Sequence, residues 1–349
     1  MQLIEFTESG LYCRQGDFYI DPWQPVDKAI ITHAHSDHAR FGSRHYLCHH
    51  FTAPLLKLRL GDDISVQSLE WNEEITINHV KVSLHPAGHI IGSSQIRVSF
   101  GDDTWVVSGD YKVEDDGISG AFEPVRCNTF ISESTFGLPI YKWKKQEVIY
   151  ESIRQWITES HQSGKTPVII AYSLGKAQRV LQCISTITDN IFAHGAIWNT
   201  QQALLAAGRD LPAIKRVTPE TPKQAFKNSV IIAPPSADGT PWMKKFSPYS
   251  VGVCSGWMQV RGNVRRRNAD AGFALSDHAD WDGLLSAVKA TGAEKVFVTH
   301  GFQSAFSRYL NENGILSAEV KTAYGGEEEE QEKPSTTTEQ ENEINTAEA

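Results

Sequence analysis

Short apolar runs separated by turn residues fill the first 136 positions of the chain. Residues 16–20, 29–32, 80–84, 95–100 and 105–108 carry β-branched or aromatic side chains, a pattern that predicts strands. Residues 54–60, ahead of Gly61, read as a helix closed by a glycine cap. From about residue 141 the period lengthens. Residues 146–163 predict a helix, 166–172 a buried strand and 176–188 a second helix. Such strand–helix alternation marks a second α/β unit. Apolar runs at 251–254 and 295–299 bring strands back near the end, and no repeat of useful period is present. At 349 residues the chain exceeds a typical single domain, which fits two units.

The strand predicted at 29–32 runs straight into His33-Ala34-His35-Ser36-Asp37-His38. Just past a strand end, His33 and His35 point to one side, because side chains alternate along a strand. Asp37 and His38 fall in the following turn, which can swing them toward a neighbouring point. Imidazole with carboxylate suits a borderline divalent cation. Three further polar residues sit at the tips of apolar strands. They are His89 in the turn Ala87-Gly88-His89, Asp110 after Val106-Val107-Ser108, and His300 after Val296-Phe297-Val298. Together they make seven ligands, enough for two metals sharing one carboxylate.

Composition adds constraints rather than chemistry. Hydrophobic residues at 40% and charged residues at 21% are ordinary for a globular chain. No apolar stretch approaches the roughly 20 residues that span a bilayer, and Met1-Gln2-Leu3-Ile4-Glu5 lacks a secretory pattern. The five scattered cysteines form no CxxC, so reduced thiols and a cytoplasmic location are expected. The net charge of −9 is concentrated in residues 327–349, which hold nine glutamates and one lysine. That acidic tail has too little apolar surface to fold, and disorder is expected there. Overall acidity is therefore no argument against a polyanionic substrate.

Three more segments narrow the reading. Phe130-Ile131-Ser132-Glu133-Ser134-Thr135-Phe136-Gly137, Ala274-Leu275-Ser276-Asp277-His278-Ala279-Asp280 and Val298-Thr299-His300-Gly301 resemble motifs A, B and C of the β-CASP nucleases. With the His33–His38 run, they place the chain near that group of the metallo-β-lactamase superfamily. Leu11-Tyr12-Cys13, Asp17-Phe18-Tyr19-Ile20-Asp21-Pro22-Trp23 and Ser108-Gly109-Asp110-Tyr111-Lys112 resemble the bacterial ligase-associated DNA exonuclease family. The likeness implies an α/β fold, an αβ/βα four-layer sandwich with an inserted β-CASP domain. The expected divisions are 1–140 and 271–326 for the sandwich, 141–270 for the insertion and 327–349 for the tail. It also implies two divalent ions, zinc first and manganese as the alternative. His33, His35 and His89 would hold one ion, Asp37, His38 and His300 the other, with Asp110 bridging. Motif C departs from the pattern, since Phe302 stands where a glutamate often follows His-Gly.

The activity implied is a 5′-to-3′ DNA exonuclease preferring single strands, working in repair beside an ATP-dependent DNA ligase and a helicase, with no membrane involved. A β-CASP ribonuclease is the alternative, and a catalytically silent nucleic-acid scaffold the reading from another class. Asp37 would orient the nucleophile, and His278, outside the metal set, would act as general acid with Glu133 orienting its ring. Substrate contacts are expected from Ser173 and Lys176 at a helix start, and from Ser255, Gly256 and Trp257, the last able to stack on a base. Arg261, Arg265, Arg266 and Arg267 form a basic run suited to a phosphate backbone.

Overall fold

The structure is a computed structural model that describes residues 2–260 and 269–323. The Arg261, Arg265, Arg266 and Arg267 run and the acidic tail lie outside the described residues. Three sheets organise the chain. Edge to edge, the first holds Glu5–Thr7, Gly10–Cys13, Phe18–Ile20, Lys28–Ile30, His45–His49 and Val66–Leu69. The second holds Leu316–Glu319, Lys295–Gly301, Thr129–Ser134, Asp103–Val107, Ser94–Phe100, Val80–Pro86 and Glu74–Ile77.

These two sheets pack face to face. Leu11, Ile20, Ile30 and Leu47 of the first share one buried cluster with Val82, Leu84, Val98, Val107 and Ile131 of the second. The opposite faces are also covered. Ala29, Tyr46 and Cys48 pack on Leu55 and Leu56 of the Thr52–Leu60 helix. On the other side, Phe130, Val296 and Val298 pack on Leu284 and Val288 of the Trp281–Thr291 helix and on Phe306 and Leu310 of Gln303–Glu312. The central strands Asp103–Val107, Thr129–Ser134 and Lys295–Gly301 thus send alternate side chains into two different cores, which explains why these runs read as continuously apolar.

The third sheet contains Lys215–Arg216, Ile191–Ala193, Val230–Ala233, Thr166–Ile170, Tyr249–Cys254 and Ala271–Phe273. All of its pairings are parallel. Ile169, Ile191 and Ile232 face the Gln146–Gln162 helix through Ile153 and Ile157, while Val168, Phe192 and Ile231 face Phe226, Met243 and Phe246. The whole sheet lies between Thr129–Ser134 and Lys295–Gly301, which are parallel neighbours in the second sheet. Ala271–Phe273 still pairs with Gly252, Val253 and Cys254, so the third sheet runs past residue 270.

Two elements end earlier than their sequence pattern suggests. The strand expected at 29–32 stops at Ile30, because the Thr32 amide donates to the Asp21 carboxylate at 2.8 Å instead of to a strand. The helix expected at 176–188 is Lys176–Ile184. Beyond it the Ser185 and Thr186 hydroxyls take the Gln182 and Cys183 carbonyls, the local competition that shortens helices. Among the described residues, no helix is long and apolar enough to cross a membrane.

Candidate metal centre

The parallel strands Asp103–Val107, Thr129–Ser134 and Lys295–Gly301 end on one edge of the second sheet, delivering Asp110, Glu133 and His300. The Ala87–Ser93 turn brings His89 to the same edge, and the loop after Lys28–Ile30 of the facing sheet brings His33 to His38. Strand ends and the short turns and loop leading from them thus hold the polar groups that converge here.

One nitrogen of each ring in the His33–His89 set is turned outward and anchored. His89 Nδ1–H donates to the Asp277 carbonyl at 2.8 Å, and His35 Nε2–H donates to the Leu174 carbonyl at 3.2 Å. His38 Nδ1–H donates to Asp21 Oδ2 at 2.7 Å. The Thr32 hydroxyl gives its proton to Asp21 Oδ2 at 2.5 Å and so accepts from His33 Nδ1–H at 3.0 Å. The inner nitrogens of His33, His35 and His89 are then lone pairs. His35 Nδ1 and His89 Nε2 face each other at 3.1 Å, and His33 Nε2, fully buried without a hydrogen bond, faces Asp110 Oδ2 at 3.5 Å. Acceptors opposed at such distances repel unless a proton or cation lies between them. This donor set fits divalent cations.

Asp110 occupies the middle. Its Oδ2 lies 3.7 Å from His38 Nε2 and 3.8 Å from His89 Nε2, and its Oδ1 accepts from His300 Nε2 at 2.8 Å. Candidate donor atoms fall within 4.8 Å of one another in overlapping groups: His33, His35, His89 and Asp110; His33, Asp37 and His38; and His38, Asp110 and His300. The seven residues singled out in the sequence are therefore gathered at one place. His85, the near neighbour of His89, instead pairs with the Ser83 hydroxyl at 2.9 Å.

The electrostatics follow from burial and neighbours. Burial, together with nearby imidazoles, holds His33 and His89 well below the ordinary histidine range. Burial also acts against a charged His38, yet Asp37, Asp110 and Asp21 outweigh it and push its pKa up to about 10. For Asp110 burial opposes ionisation, but His38, His300 and His278 hold it well below the carboxylate range.

Beside this group, His278 Nδ1–H donates to Glu133 Oε2 at 2.9 Å, and Asp110, Glu133 and His278 form a further close set. Glu133 is fixed by the Tyr111 amide at 2.8 Å. Aromatic rings flank His278: Phe136 is 5.9 Å away, and Trp257 lies on Phe136 at 4.9 Å and on Tyr141 at 5.7 Å.

The residues expected to grip substrate are placed differently from one another. Ser173 and Trp257 are half-buried beside the site. Lys176 is turned inward rather than toward a cleft: it is 1% exposed and its ammonium lies 3.1 Å from Asp277 Oδ2. The Ser255 hydroxyl is buried and accepts from the Trp257 amide at 3.3 Å. A Cβ on Gly256 would meet Phe136 at 2.5 Å, so that glycine serves close ring packing. Sequence reasoning missed Asp21, twelve positions before His33 with no periodic link to it, and the two backbone carbonyls of Leu174 and Asp277.

No family model matches the chain. A protein named probable DNA ligase from Opitutus terrae is 28% identical over 89% of this chain and 30% of its own length. An RNase J-like protein from Methanocaldococcus jannaschii is 25% identical over 46% of this chain and 44% of its own. Cleavage and polyadenylation specificity factor subunit 3-I of Arabidopsis thaliana is 25% identical over 46% of this chain and 28% of its own. The chain resembles the β-CASP nucleases of the metallo-β-lactamase superfamily. It spans less than half the length of each of these relatives. A crystal structure of a protein of unknown function from Enterococcus faecalis superposes with a TM-score of 0.59 at 11% identity, covering 84% of this chain and 78% of the other, a likeness of fold.

Proposed function

We propose that this chain hydrolyses phosphodiester bonds in nucleic acid, as a DNA exonuclease built on a metallo-β-lactamase sandwich with a β-CASP unit inserted between about residues 141 and 273. The observation that carries this reading is the joining of two groups: donors for two cations around Asp110, and the His278–Glu133 pair against it. A hydrolase that attacks a phosphate and must protonate a poor leaving oxygen needs both. Divalent cations at the donor set, zinc by preference and manganese as the alternative, would act as Lewis acids on a phosphoryl oxygen and lower the pKa of a water.

The chain's own residues do the rest. Asp37 accepts a hydrogen bond from the attacking water and aims it. With Nδ1 engaged by Glu133, Nε2 of His278 is the atom that delivers a proton to the leaving oxygen. Trp257 stacks on a base next to the scissile bond, Ser173 lines its approach, and Ser255 and Gly256 hold the Trp257 ring in place. The match to a protein named probable DNA ligase over 89% of the chain supports DNA as substrate and work beside a ligase. Cleavage from a 5′ end and a helicase partner are carried only by the likeness of the sequence motifs to the ligase-associated exonucleases. Ribonuclease-named relatives support RNA as the second reading.

The test uses end-labelled single-stranded DNA and RNA carrying a 5′-phosphate or 5′-hydroxyl, in zinc or manganese, with Asp37→Ala and His278→Ala alongside. Shortening of DNA from the 5′ end by the natural protein only is expected. Faster cleavage of RNA than DNA would move the assignment to a ribonuclease, and no cleavage of either would leave a binding scaffold.

A further inference from the structure

Two histidines at one cation position are oriented through the start of the Lys176–Ile184 helix of the inserted unit, His35 directly and His89 by way of Asp277. His35 donates to the carbonyl of Leu174, in the turn leading from Thr166–Ile170 into the Lys176–Ile184 helix. His89 donates to the carbonyl of Asp277, and Asp277 is itself held by that helix. Lys176 Nζ is 3.1 Å from its Oδ2, and Arg179 Nη1 is 2.9 Å from its Oδ1. Arg179 Nη1 also donates to the Ser276 carbonyl, and its Nη2 donates to Gln146 Oε1 at 2.7 Å. Lys176, Arg179 and Asp277 are 1%, 1% and 0% exposed.

The fit is close as well as polar. Gly175, at φ +94°, starts this helix, and a Cβ there would lie 2.5 Å from the Ile90 side chain and 3.0 Å from Asp277 Oδ2. Ile90 follows His89 directly, so the turn and the His89 loop are in contact. His38, at the other position, is anchored instead by Asp21 of the first-sheet region. Arg179 Nε also lies 3.7 Å from Oδ2 of the buried Asp116, and burying such an ionic cluster carries a desolvation cost that an apolar contact would avoid. What the ionic cluster adds is a fixed direction for the backbone at Asp277.

We propose that residues 172–179 are a positioning element for the His33–His35–His89 cation position, so that docking of the inserted unit and cation binding there stabilise each other. This rests on the metal-site part of the proposed function and not on its substrate. Outer partners of ligating histidines set ring direction, and their loss typically weakens cation affinity about 10- to 100-fold. The coupling is reciprocal, as any linkage between two equilibria must be.

The test is titration of the metal-free full chain with cobalt(II), followed by its absorption bands, and with zinc against a competing chelator. The variants are Lys176→Met, which keeps the stem length, and Arg179→Lys, which keeps the charge. Phe246→Leu, on the far face of the third sheet, reports what loosening of that unit does by itself. The natural protein takes up two equivalents. Lys176→Met and Arg179→Lys weaken one equivalent by about tenfold or more and leave the other within about twofold, while Phe246→Leu lowers the melting temperature with both affinities kept. Unaltered affinities in both ionic variants, or parallel weakening of both equivalents, would overturn the inference. A natural protein that takes up no cation would instead sink the functional reading, so the two failures are distinct.

Discussion

A histidine in this site has two jobs, one per nitrogen, and the outer one depends on residues that no spacing reveals. Asp21 anchors His38 directly and His33 through the Thr32 hydroxyl. Asp21→Asn therefore weakens cation uptake at both positions, by about tenfold each, in the same cobalt titration. Loss at one position alone would contradict that relay. His278 differs in kind, because its partner Glu133 lies beside the cation donors rather than behind one of them. His278→Ala should lower single-turnover cleavage by about 10²- to 10⁴-fold with bound metal, counted by mass spectrometry, unchanged. Loss of metal in parallel with activity would recast His278 as a ligand. The run from His33 to His38 was legible because its members lie within one strand end and turn. The Lys176 contact was not, since its partner Asp277 lies 101 positions away.

At the scale of elements, the strands that deliver the site were easier to read than those that support it. Runs such as 105–108 and 295–299 stand out because apolar side chains fill both cores. Ile191–Ala193 and Lys215–Arg216 are too short to show a period, and only their parallel neighbours make them strands. The start of the Lys176–Ile184 helix shows what a junction requires. With φ at +94° and Ile90 where a Cβ would go, Gly175→Ala must strain the backbone and displace the His89 loop. We expect about 1–3 kcal/mol of lost stability, read by urea unfolding. A stability equal to that of the natural protein would mean that the turn relaxes without cost.

For the whole molecule, the insertion between two neighbouring strands of the second sheet puts residues from distant parts of the chain into one site. Its global stability also has a pH signature remote from that site. His49 is buried against Trp71, stacked at 4.2 Å, and burial with the nearby His50 pushes its pKa from 6.5 down to about 4. The unfolded chain binds a proton that the folded one refuses, so stability is complete above about pH 6.5 and falls as pH drops toward 4. The loss is on the order of 3 kcal/mol. Urea unfolding at pH 7 and pH 4.5 should show it, and His49→Gln should flatten it. An unchanged slope in that variant would assign the acid sensitivity elsewhere.

The sequence by itself determined the α/β class, the change of texture near residue 141, and which side chains have the chemistry to bind a cation. Those features are local: a strand period, a turn, a run of ligating residues. Only the tertiary structure decided which outer groups hold the histidines, that Lys176 faces inward to Asp277, and that the inserted unit reaches the site through Leu174 and through its hold on Asp277. Those depend on which strand ends are neighbours in space, and chain order does not encode that where 160 residues separate Thr135 from Lys295. The His33–His38 run supplies four of the seven donors, His89, Asp110 and His300 supply the others, and the packing of the sheets brings them together.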